Sequence, residues 1–70
     1  MSNLARTATE DRLRLVEVLE RRIAKTSDQQ HRLARLRGIL TRCVTRLRIG
    51  EAASVIQAEL AARGIRLRGL

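Results

Sequence analysis

The 70-residue sequence has no phenylalanine, tryptophan, tyrosine or proline, and a single cysteine. Each absence excludes something. Without aromatic rings the core must be built from Leu, Ile, Val and Ala, residues that pack as helix layers, and there is no platform on which unpaired bases could stack. A lone Cys43 forms no intramolecular disulfide, and no second Cys or nearby His completes a metal-ligand set, so neither a disulfide staple, a metal nor any other cofactor is expected. That usage suits a reducing cytoplasm, where the chain is expected to act. The opening MSNLARTATEDR lacks the apolar stretch of a signal peptide. No run approaches the roughly 20 apolar residues that cross a bilayer, so no membrane partner is expected. A domain this small buries only about 60% of its unfolded surface and should be marginally stable unless something binds it.

Carboxylates are also scarce. Fifteen Lys plus Arg face seven Asp plus Glu, a net charge of +8. Such an excess attracts anionic partners and says nothing about fold. All but one of the cations are arginine, a bias that a GC-rich genome would produce without selection for guanidinium chemistry. The net charge is not explained that way.

What is present reads as one all-α domain: an antiparallel helical hairpin, a short third helix and an extended C-terminal tail. Thr7 to Glu10 fits the S/T-x-x-E capping box, so a first helix is expected from about residue 9 to 25, with Leu15, Val16, Leu19 and Ile23 on one face. Leu13 and Val18 flank that face. A second box, Ser27 to Gln30, opens a helix expected over about 28–49, in which Leu33, Leu36, Leu40, Cys43 and Leu47 follow a heptad-like seam widened by Ile39 and Val44. Cys43 reads as a small buried apolar residue. Gly50 can close this helix in a left-handed C′ conformation, and a third helix over about 51–63 follows, with Ala52, Ala53, Ile56 and Leu60 on one face. A rival reading runs the second and third helices through Gly50 as one rod, at a propensity cost of about 1 kcal/mol. If Gly64 is C′, Ile65 and Leu60 are the C″ and C3 pair of a Schellman ending. The tail 64–70, which includes the alternating IRLRGL, is expected to fray.

The stretch 31–50 holds six arginines and no acidic residue. On the helical wheel Arg35, Arg42 and Arg46 form a row beside the seam. No carboxylate lies between Asp28 and Glu51, so counter-charge must come from elsewhere, and Glu10, Asp11, Glu17 and Glu20 of the first helix are the candidates. They are expected to satisfy two or three of the six arginines. The segment IQAELAARGIRLRGL resembles the first helix and turn of the helix-turn-helix segment found in many transposases and arginine-repressor-like regulators. The resemblance covers about fifteen residues, stops before a recognition helix, and implies no more than the helix-ending turn.

Enzymatic chemistry is not expected. His31 is the sole histidine, the carboxylates show no acid–base spacing, and the four glycines form no phosphate loop. The leading expectation is a protein-binding module of adaptor, anti-activator or chaperone type. It would grip an acidic or helical partner through an apolar face, Ile39, Leu13 and Val18, rimmed by Arg35, Arg42 and Arg46, with a homodimer as a further possibility. The alternative is a nucleic-acid-binding module that meets phosphates through the same arginine row.

Overall fold

Leu4, Ala5, Arg6 and Ala8 all favour the helix, and nothing before Thr26 interrupts it. In the computed structural model, which describes residues 2–26 and 30–67 and the side chains of 7–26 and 33–67, α1 accordingly spans Ser2–Thr26. The expected start near residue 9 is therefore corrected. A capping box is worth only about 1 kcal/mol and sets a boundary only where the preceding residues disfavour the helix. Here Thr7 and Glu10 lie inside it. At the other end the buried Thr26 hydroxyl donates to the Ile23 carbonyl at 2.8 Å. The second box falls partly on 27–29, outside the described residues.

The hairpin partner α2 spans Gln30–Arg48, and α3 spans Ala53–Ala62. Gly50 breaks the rod. With φ at 110° it places its own N–H on the Leu47 carbonyl at 3.1 Å and the Glu51 N–H on the Arg46 carbonyl at 3.1 Å, the two bonds of a Schellman ending. Gly64 repeats the device with φ at 76°: Gly64 donates to Ala61 and Ile65 to Leu60, both at 2.9 Å.

The core joins Leu15, Val16 and Leu19 of α1 to Leu40, Cys43, Val44 and Leu47 of α2, with Ala53, Ile56 and Leu60 of α3 closing it. Ala52 stands at the N-cap of α3 and is exposed, so it is not part of that face. Ile65 and Leu67 also pack against the core. The tail is therefore not frayed through Leu67, because the Schellman turn at Gly64 redirects the chain onto the bundle and the alternation puts both apolar side chains on one side. Residues 68–70 lie outside the described set.

The body measures 46 × 21 × 21 Å with a radius of gyration of 12.6 Å. A compact chain of this length would have about 11 Å. The excess follows from α1, whose described residues 7–11 are all exposed and whose first buried side chain is Leu15. Its N-terminal half outruns the body. No helix among the described residues is long and apolar enough to cross a membrane.

Candidate functional site

Two helix ends and a turn make a clamp around Arg46. Its guanidinium donates to both Glu51 oxygens, at 2.6 and 2.7 Å, and to both Glu59 oxygens, at 2.7 and 2.6 Å. The Schellman turn is the cause for Glu51, since it brings C″ back beside C3, and here an ion pair takes the place of the usual hydrophobic contact. Glu59 arrives because α3 folds back antiparallel along α2. These hydrogen bonds, Glu59 first and Glu51 second, raise the Arg46 pKa above its already high ordinary value. The Arg46 hydrogen bond lowers each carboxylate in turn. The three side chains remain between 34% and 42% exposed, so solvent screens the pairs. Beneath them lies the buried Cys43 thiol, whose pKa burial pushes up.

A second pair, Arg48 to Glu20 at 2.9 Å, ties α2 to α1 in the open. Thus the two arginines nearest the C-terminal end of α2 are both neutralised within the chain. The opposite end of the bundle differs. There the C-terminal part of α1 carries Arg21, Arg22 and Lys25, the first two-thirds of α2 carries Arg35, Arg37 and Arg42, and the end of α3 with its tail carries Arg63 and Arg66. Antiparallel packing brings most of these residues toward the hairpin-turn end, with Arg42 and Arg63 beside the clamp. Arg42 and Arg63 line a concavity of about 110 Å³ with Ile39, Cys43, Arg46 and Glu59. Arg22 and Arg66 flank an open groove with Leu36, Ile65 and Leu67. None of these eight cations has a salt-bridge partner among the described residues, and seven of them are exposed, Arg37 being half-buried. Lys25 and Arg63 also sit at helix C-termini, where the dipole favours a cation.

The six residues expected to form one partner-binding surface are dispersed. Arg35 and Arg42 are exposed on the same side of α2. Arg46 is turned into the clamp and held by carboxylates of the turn and α3. Ile39 is half-buried against the core, and Val18 is only 4% exposed, so neither offers an open apolar face. Leu13 is 60% exposed, on the solvent side of α1. With Ile49 and Val55, the other exposed large apolar residues among those described, it lies toward the end opposite the basic one. Glu51, Glu59 and Arg63 were not among the expected site residues. Counter-charge expected from α1 comes in the structure chiefly from α3 and its approach.

Among the described residues no group of three His, Cys, Asp or Glu side chains converges as a metal site. Comparison with known proteins finds no matching family model, no matching curated protein and no matching solved structure.

Proposed function

We propose that the protein is a binding module that docks its basic end on the phosphate backbone of a nucleic acid. The observation that supports this is the distribution of charge: eight cations from α1, α2 and the segment that follows α3 have no ion-pair partners among the described residues, and six of them lie toward the hairpin-turn end. Like charges gathered on a small body repel, and each phosphate they neutralise both relieves that repulsion and releases a counterion. The adaptor alternative loses most of its apolar face to the core, through Val18 and Ile39. It keeps one favourable observation, the exposure of Leu13, Ile49 and Val55 at the other end. A second copy of the chain would use the same surface. A cytoplasmic setting fits the single free thiol.

Fluorescence anisotropy with a labelled duplex at 50 and 200 mM salt tests the proposal. Binding is expected at the lower salt and a steep loss at the higher. The Arg22→Gln/Arg42→Gln/Arg63→Gln variant should bind more weakly and shallow the logarithmic salt slope by about 0.9 per lost contact. Arg48→Gln, whose guanidinium is already paired, should change the slope least. Absence of binding at 50 mM, with capture of an acidic protein that survives nuclease, would transfer the assignment to the adaptor reading.

A further inference from the structure

Given the nucleic-acid reading, on which this rests, we infer that the backbone of one nucleic-acid strand is seated in the groove between α1 and the C-terminal tail, its phosphates on Arg22 and Arg66 and its sugars against the apolar lining between them. Three separate segments line that groove, which holds about 690 Å³: Arg22 from α1, Leu36 from α2, and Gly64, Ile65, Arg66 and Leu67 from the tail. Both arginines are exposed, and neither has a salt-bridge partner among the described residues. No carboxylate lines the groove. Two other concavities differ on that point: the one beside the clamp includes Glu59, and the one between α1 and α2 includes Glu20. An anion approaching Arg42 and Arg63, or Arg48, therefore meets a carboxylate at the same place, and Arg46 keeps Glu59 ionised by lowering its pKa. At Arg22 and Arg66 it meets none.

The tail makes this site, and its local chemistry explains how. The Schellman turn at Gly64, with φ at 76° and the Ile65 N–H on the Leu60 carbonyl at 2.9 Å, sends the chain back toward the bundle. In the segment that follows, Ile65 and Leu67 pack half-buried against the core while Arg66 between them is exposed. These two apolar side chains are thus positioning residues for Arg66. Like charge on Arg22 and Arg66 opposes the docking of the tail, and an anion bound by both removes that opposition. The lining formed by Leu36, Ile65 and Leu67 offers a phosphate no hydrogen bond, but it suits the carbon-rich face of a sugar, and a strand backbone alternates the two groups. Lys25, exposed three residues beyond Arg22 on the same flank of α1, extends the cationic path toward the hairpin turn. Contacts of this kind go to phosphate and sugar, so sequence preference is weak, and bases left outside the groove need no aromatic platform.

Fluorescence anisotropy with a labelled DNA duplex and a labelled DNA single strand, from 50 to 200 mM salt, compares two variants that remove equal charge. Arg22→Gln/Arg66→Gln should weaken binding to both probes at least about tenfold at 50 mM, and should shallow the logarithmic salt slope by about 1.8 on the duplex and about 1.4 on the single strand, two contacts in each case. Arg42→Gln/Arg63→Gln should cost no more than about threefold and leave the slope nearly unchanged. A third variant, Ile65→Ser/Leu67→Ser, keeps every charge but releases Arg66, and should shallow the duplex slope by about 0.9, a change that a merely structural role would not produce. An unchanged slope there overturns the positioning role. Circular dichroism melts establish that each variant folds; Arg22 and Arg66 are exposed, so the comparison of the two arginine pairs decides the site even where the serine variant does not fold. Equal losses in the two arginine pairs, or binding of the duplex but not of the single strand, overturn the groove assignment and leave the nucleic-acid reading standing. No binding of the wild type to either probe at 50 mM salt overturns both.

Discussion

Arg46 is held by two carboxylates at once, and the titration of those carboxylates should register in stability. Arg46 lowers both the Glu51 and the Glu59 pKa, so near pH 4 the folded state binds fewer protons than the unfolded one, whose carboxylates titrate at about 4.3. The clamp's contribution is thus present above the unfolded pKa and is lost as pH falls through the lower folded values. Thermal melts between pH 2 and 7 should show an acid limb that becomes shallower in the Glu51→Gln/Glu59→Gln variant, together with a Tm a few degrees lower at neutral pH. Superimposable acid limbs would mean that solvent screening leaves the pairs without weight. The Glu51 partnership was legible in the chain, because the Schellman rule that pairs Leu60 with Ile65 also pairs Arg46 with Glu51 across Gly50. Glu59 was not, since thirteen residues and a reversal of direction separate it from Arg46.

The helices divide along the same line. Leu36 and Leu40 share one face of α2, yet Leu40 is fully buried while Leu36 is half-buried beside Ile65 and Leu67. Periodicity places both on the seam; only the end of α1 and the course of the tail separate them. The glycines give a sharper contrast. A Cβ at Gly38, Gly50 or Gly64 would meet no neighbouring atom within 4 Å, so the effect of alanine there is a matter of backbone alone. Gly38 lies within α2 and Gly38→Ala should stabilise by roughly 0.5–1 kcal/mol. Gly50 has φ at 110°, so Gly50→Ala should destabilise by at least about 1 kcal/mol. Urea midpoints with unchanged m-values would measure both. A destabilising Gly38→Ala would mean that α2 is bent or bound closely at that point.

The molecule as a whole is polar, with most of the unpaired cations toward one end and the exposed Leu13, Ile49 and Val55 toward the other. Two opposing salt effects follow. Added salt weakens the Arg48–Glu20 pair, whose side chains are 61% and 51% exposed, but such pairs contribute little. It also screens the repulsion among the clustered cations, as the Debye length falls from about 30 Å at 0.01 M to about 3 Å at 1 M. The second effect should win. Tm is expected to rise with sodium chloride over that range, and a fall would show that the ion pairs outweigh the repulsion.

Much of this architecture follows from local chemistry, and local chemistry can be read along a chain. The absence of aromatics and proline, the 3.6-residue apolar period and two glycines placed just past helical runs determine three helices, a hairpin, the break at Gly50 and the Schellman ending at Gly64. Each depends on residues within about one turn of one another. The same reasoning set the start of α1 too late, because a capping box does not end a helix that its upstream residues already favour. Tertiary structure decided what depends on which surfaces meet. It buried Val18, half-covered Ile39, returned the tail to the core and drew Arg46 out of the arginine row into a clamp. Opposite charges are satisfied by whichever element lies within about 4 Å, and that distance is set by the packing of α3 on α2 rather than by spacing in the chain. The residual basic end is what remains after those pairings.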